Sequence, residues 1–256
     1  MKNFYRVGGV AVLAIAVICT AIGIWRYLQE DRAGDMYVEL RQSVSTEETK
    51  KGEDAQDNQS RPAQIPIDFA SLRERNTDVY AWITIPGTAI DYPILQSKTD
   101  DSYYLTHTMD GEEKAEGAIY TERCNSQDFE DPNTVIYGHN MRNGSMFQNL
   151  HNYQDQSFFD NNREVIIYTP DAIRHYRIFA AYLYDDRHLM QSFDFTDKGI
   201  YRAYLNMVFS IRDMNAHIDK SEAVGTDDRI ITLSTCYGTQ TDRRYLVQAV
   251  LVSIEQ

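Results

Sequence analysis

The segment Ile230-Ile231-Thr232-Leu233-Ser234-Thr235-Cys236 decides how the rest of the chain is read. Its β-branched residues predict a short strand that ends at the cysteine, followed by the turn-rich loop Tyr237-Gly238-Thr239-Gln240-Thr241-Asp242. A second strand, Arg244 to Ile254, closes the C-terminus. Alternation puts Ile231, Leu233 and Thr235 on one face of the first strand and Thr232, Ser234 and Cys236 on the other. Cys236 therefore sits at a strand end, on the more polar face and beside a loop. That position suits a reactive thiol better than a packing one. If the two strands form a hairpin, Arg243 or Arg244 returns beside the sulfur, where a cation favours thiolate and can bind a developing oxyanion.

Working outward, the 256 residues allow one sizeable domain with appendages, and 43% hydrophobic content supplies its core. A formal charge of −13 with no basic stripe excludes a nucleic-acid binder. Three cysteines are too few for a disulfide framework. Cys19 lies in an apolar N-terminal run, so the bland alternative for Cys124 and Cys236 is a single disulfide. No internal repeat and no metal-spaced Cys/His cluster appears in the sequence.

Lys2 and Arg6 precede the apolar run from Val7 to Trp25, which is long enough to cross a hydrocarbon core of ~30 Å. It exceeds the usual apolar region of a cleaved signal peptide, which favours an uncleaved anchor over that rival. The basic flank places residues 1–6 in the cytoplasm, residues 7–25 in the membrane and everything downstream outside. Residues 26–64 are acidic and polar and predict a solvated extracellular spacer. The folded domain is expected over 65–256. It opens with a short helix at Asp68 to Asn76, capped by Asp68 or Ser71. Strands are then predicted at Val79–Ile85, Ala89–Leu95, Tyr103–Leu105, Gly117–Tyr120, Thr134–Tyr137, Val165–Tyr168 and Tyr176–Tyr182. Pro93 marks an edge or a bulge. This series makes the domain mainly β, a barrel or a sandwich. One helix interrupts it, from Asp197 to about Met214 with Thr196 as N-cap, its apolar stripe packing on the sheet. The loop before it, Asp185 to Phe195, is placed to wall a groove.

Of the six histidines, His139 stands out because Tyr137-Gly138-His139-Asn140 follows a strand directly, and the glycine permits a sharp turn that exposes the imidazole. His107, His151, His175, His188 and His217 have no such setting and read as surface or structural residues. A strand-end cysteine, a rim histidine and a following arginine together supply a nucleophile, a proton donor and an anion-binding group. The order His before Cys is wrong for papain-like proteases.

These residues also carry a resemblance. Thr232-Leu233-Ser234-Thr235-Cys236, Asn133-Thr134-Val135-Ile136-Tyr137-Gly138-His139, Arg244 leading an apolar strand, Trp82 to Thr88 and Ile90-Asp91-Tyr92-Pro93 resemble a class B sortase from about Ile67 to the C-terminus. The resemblance implies an eight-stranded sortase-type barrel with a helix inserted before the cysteine strand. It implies a transpeptidase of Gram-positive cell surfaces that cleaves a C-terminal sorting motif after Thr. The product of that step, a thioacyl-enzyme, would be resolved by an amine of a cell-wall precursor or by a pilin lysine. By motif, Cys236 is the nucleophile, His139 the general acid and later base, and Arg244 the backbone holder and oxyanion donor. Ser234, the backbone N–H of Tyr237 and the side chain of Leu105 would line the substrate groove. No cofactor and no calcium or other metal is implied. The partners implied are surface proteins bearing a sorting signal, the acceptor amine and, through the N-terminal helix, the membrane. Glu122-Arg123-Cys124-Asn125 stands where relatives often carry an aspartate and an aromatic, and His188 to Met190 stand where a tyrosine is common. Outside this class, the competing reading is a non-catalytic, surface-anchored barrel that only binds peptides.

Overall fold

A computed structural model describes residues 64–238 and 240–256, together with helical Ile18, Thr20, Ala21, Tyr37, Glu39, Leu40 and Arg41. Most of the Val7–Trp25 run and the spacer expected over 26–64 lie outside the described residues. Among the described residues, no helix is long and apolar enough to cross a membrane. The chain divides into two compact units, Met1–Leu40 and Arg41–Gln256. The second unit carries the β-strands.

Its elements in chain order are α1 (Phe69–Arg75), β1 (Val79–Thr84), β2 (Asp91–Leu95), α2 (Tyr103–Thr106), β3 (Ile119–Thr121), β4 (Asn133–Tyr137), a 3-10 helix (Gln148–Gln154), α3 (Gln156–Asn161), β5 (Glu164–Thr169), β6 (Ala172–Asp185), α4 (Leu189–Ser192), α5 (Lys198–Ser210), β7 (His217–Ile218), β8 (Ile230–Tyr237) and β9 (Gln240–Glu255). All nine strands among the described residues belong to one sheet, ordered β5-β1-β2-β3-β4-β8-β9-β6-β7, and an extra β5–β6 pairing closes it. The closed ring holds eight strands, with two-residue β7 appended to β6 at Ala180 and Ala181. The expected eight-stranded barrel is therefore what forms. Closure leaves the ring without a long unpaired edge.

Local chemistry explains most boundaries. Asp68 caps α1, its carboxylate accepting from the Ser71 N–H. Trp82 Nε1 and Thr84 Oγ1 both donate to Asp91 Oδ1, at 2.7 and 2.8 Å, stapling β1 to β2 across the turn between them. Pro93 is tolerated because β2 pairs with β3 only from Ile94 onward, so no second neighbour needs its missing N–H.

Three local expectations are corrected. Tyr103-Tyr104-Leu105 is not a strand but one helical turn, α2, despite its β-favouring aromatics. Backbone bonds from Lys114 N to Thr106 O and from Ala118 N to Tyr104 O hold it, so tertiary pairing overrides propensity. Asp197, and not Thr196, caps α5, accepting from Gly199 and Ile200 N–H groups, and the helix ends at Ser210. Finally, Gly138 is not demanded by a left-handed turn. A Cβ there would lie 2.5 Å from Ile119 Cδ1 and 2.7 Å from the Phe147 ring, so close packing requires the glycine.

Both faces of β8 are buried, which alternation alone did not indicate. Ile231 and Leu233 face the barrel interior with Val247 and Ala249 of β9. The opposite face, carrying Ile230 and Thr232, lies under α5, where Tyr201, Tyr204, Leu205 and Val208 pack on Phe179, Tyr182, Leu246 and Val250. Burying each such side chain stabilises by about 1.5–3 kcal/mol. Hydrogen bonds link the polar residues of this face. Gln248 Nε2 donates to Thr232 Oγ1 and Tyr204 OH, and Thr232 Oγ1 donates to Asn133 Oδ1.

Candidate active site

The face of β8 that runs under α5 emerges from that cover at its C-terminal end. There Ser234 and Cys236 line a groove of about 240 Å³, together with Leu105, His139, His188 and Arg244. Register settles which arginine accompanies the sulfur. Cys236 lies directly opposite Arg244 in the antiparallel β8–β9 pair, so both side chains leave the same face. Arg243 instead lies opposite Asp185 of β6, whose carboxyl its charge helps to hold below the ordinary range after the Arg187 bonds and against burial.

His139 reaches the groove from the end of β4. Parallel pairing of Tyr137 with Ser234, continued by the bond from Gly138 N to Ser234 O, brings the histidine alongside the cysteine. Behind it the chain is held by a bond from Phe147 N to His139 O and an Asn140–Met146 bridge. The imidazole Nε2 donates to the Leu105 carbonyl at 2.6 Å, which fixes that nitrogen as protonated and leaves Nδ1 as the exchangeable one. Among the described residues, no hydrogen bond joins His139 to Cys236.

Leu105 is 44% exposed, presented by the α2 turn as an apolar contact on the groove wall. Ser234 is nearly buried at the groove floor. The Tyr237 side chain does not line the groove; it packs by its ring against Tyr245 and His151, so only its backbone is relevant to a bound peptide. Cys124 and Cys236 are both free, so the disulfide alternative is not realised. Desolvation around its sulfur, reinforced by the Glu122 and Asp101 carboxylates, pushes the Cys124 thiol up to about 11 although the residue is exposed. That shift favours the neutral thiol, the less nucleophilic form, at neutral pH.

Two histidines taken for surface or structural residues stand at this site. His188 lines the groove and pairs with Glu122 at 2.5 Å, from the loop expected to wall it. His151 donates from Nε2 to the Cys236 carbonyl at 3.0 Å and accepts at Nδ1 from Gln154. Burial lowers its pKa, opposed by the bond to Cys236. No sequence signal marks either residue, since their partners lie 66 and 85 positions away.

A closed eight-stranded barrel with a cysteine, a histidine and an arginine meeting at one groove defines a cysteine acyl-transfer enzyme. Comparison with known proteins gives the particular family. The family model described as a sortase domain matches residues 83–252. Sortase B of Listeria monocytogenes is 35% identical over 199 residues, covering 74% of this chain and 76% of the relative. Sortase B of Staphylococcus aureus is 26% identical over 99% of both chains. The solved sortase B of Clostridium perfringens superposes with a TM-score of 0.65 at 31% identity, covering 72% of this chain and 99% of that one. The chain belongs to the sortase family, among its class B members. It is a sortase-type cysteine transpeptidase, and the reading as a non-catalytic peptide-binding barrel falls away.

Proposed function

We propose that this transpeptidase is held in the cell membrane by the Val7–Trp25 run, with its N-terminus cytoplasmic and residues 65–256 working outside the cell. It cleaves a C-terminal sorting motif after Thr and transfers the protein to an amine of a cell-wall precursor. The observation that supports this reading best is the cross-strand pairing of Cys236 with Arg244 at a groove that His139 also lines.

The chemistry follows from those groups. The Cys236 thiolate forms a C–S bond to the Thr carbonyl carbon, and the C=O electron pair moves onto oxygen. Arg244 and the Tyr237 N–H stabilise that oxyanion. As it collapses, C=O re-forms, the C–N bond breaks, and the leaving amine takes a proton from the His139 imidazolium at Nδ1. The acceptor amine then adds to the thioester, loses a proton to His139 and expels the thiolate. One amide is exchanged for another, with no net redox change. Leu105 and Ser234 contact the motif on the groove wall and floor.

A pilin lysine as acceptor is the second reading. It is favoured by similarity to a Streptococcus pyogenes class B sortase involved in pilus biogenesis (29% identity, TM-score 0.62, 72% of this chain and 98% of that one). The deciding experiment incubates the protein with a Thr-containing peptide library and weighs the trapped acyl-enzyme. A mass gain on Cys236 ending in Thr is expected, and Cys236→Ala should abolish it with folding intact. Retained turnover in that variant removes the nucleophile.

A further inference from the structure

The carbonyl of Cys236 is in an unusual position. Carbonyls of alternate residues on β8 point the same way, and Ser234 O is bonded to the Gly138 N–H on the β4 side. The Cys236 carbonyl points to that side too, but β4 has ended at Tyr137, so no strand backbone meets it there. Two side chains take over. Asn140 Nδ2 donates to it at 3.1 Å and His151 Nε2 at 3.0 Å. Gln154 bonds the other ring nitrogen of His151 at 3.1 Å, and the rings of Tyr245 and Tyr237 flank the imidazole at 5.2 and 5.7 Å. The histidine is thus held in one tautomer and one orientation, 85 residues from the carbonyl it binds.

We infer that His151, assisted by Asn140, is a positioning residue for acyl transfer: by clamping the Cys236 carbonyl it turns the Cys236–Tyr237 peptide so that its N–H serves the oxyanion. Among the described residues no peptide bond is cis, and in a trans peptide the N–H points opposite to the carbonyl. With the carbonyl fixed toward His151 and Asn140, the Tyr237 N–H is directed to the β9 side, where Tyr237 pairs with Gln240 and Arg244 stands opposite Cys236, so the oxyanion competes as a charged acceptor for an N–H that already faces the β9 backbone. The clamp thus sets the relation between backbone donor and guanidinium before substrate arrives, which is where preorganised electrostatic stabilisation has its effect. The lowered His151 pKa is consistent with a neutral ring donating only from Nε2. This inference rests on the proposed transpeptidation but concerns its oxyanion step alone.

The test compares two reactions of the same sulfur in the full chain, with Cys236→Ala as background. Acylation by p-nitrophenyl acetate passes through an oxyanion; alkylation by iodoacetamide does not. His151→Phe keeps the ring between the tyrosines and loses the donor. It is expected to slow acylation about tenfold while changing alkylation less than about twofold. His151→Gln, which restores an N–H donor, should recover most of the loss and also covers the case in which the Phe variant folds poorly. Equal rates in all three proteins, or acylation and alkylation falling together, would overturn the clamp. Peptide acylation of the unaltered chain, run alongside, separates the two failures. Its absence counts against transpeptidation, whereas its presence with an unaffected His151→Phe counts against the clamp alone.

Discussion

Cys236 and Arg244 are opposed by strand register, so backbone pairing puts both side chains on the face that opens to the groove. Adjacent Arg243 leaves the opposite face, beside Asp185. Arg244→Ala is therefore expected to lower peptide acylation about 10²–10³-fold, as loss of an oxyanion donor does. Arg243→Ala should change it only a few-fold, because its side chain leaves the face of β9 opposite to that of Arg244. A silent Arg244→Ala beside a dead Arg243→Ala would reverse the assignment. The sequence narrowed the choice to two adjacent residues; only the bulge between Cys236 and Tyr237 and the register beyond it separate them. His151 was not legible at all, because nothing local distinguishes a histidine whose partner is the backbone of a distant strand. Its lowered pKa has a consequence for stability. Between the folded value and the unfolded value of about 6.5, the unfolded chain binds the extra proton, so stability rises with pH there. The histidine's contribution is complete above that unfolded value and is lost as pH falls below it. Denaturant midpoints at a series of pH values should show this loss, and His151→Gln should flatten it. An unchanged profile would mean that the ring titrates alike in both states.

At the scale of elements, the groove depends on small pieces that local pattern renders poorly. The strand series and α5 were legible from alternation and from the 3.6-residue stripe, because long periodic segments bury one face. The α2 turn was not. Tyr103-Tyr104-Leu105 carries strand-forming aromatics, and its helical state comes from bonds made by the segment around Lys114 to Ala118. That segment includes Gly117, at φ +53, where a Cβ would stand 2.3 Å from Tyr104 O and 2.9 Å from Leu105 O. Gly117→Ala would add about 1–3 kcal/mol of backbone strain and push α2 outward. Because the Leu105 carbonyl holds His139 Nε2, the same shift should loosen the imidazole. The expected result is a fall in kcat larger than the melting temperature accounts for, with Cys236 alkylation preserved. If activity loss follows the unfolded fraction alone, α2 is only a packing element.

For the whole molecule, the count of eight strands in a closed ring was expected, whereas the layering around β8 was not. Alternation assigned Thr232 and Ser234 to a polar face, which ordinarily means solvent. In the folded chain that face is a second core, with α5 outside it and a hydrogen-bonded set of Thr232, Asn133, Gln248 and Tyr204 within it. Patterning could not reveal this, since a satisfied buried polar residue and an exposed one look the same in sequence. The arrangement divides β8 into two regimes. Ile230 to Leu233 are sealed on both faces, at 1% exposure or less, while Cys236 and Tyr237 extend beyond α5 toward the groove. Opening the first half requires breaking the barrel and lifting the helix together, so its amides should exchange only through global unfolding. The second half needs only a local opening of the β8–β9 hairpin. Hydrogen exchange should therefore show protection near the global limit for amides 231–234 and a fall of at least about 2 kcal/mol by Gly238. Equal protection along the strand would mean that the groove end is as rigid as the core, leaving no soft end at which an extended peptide can be admitted beside Cys236.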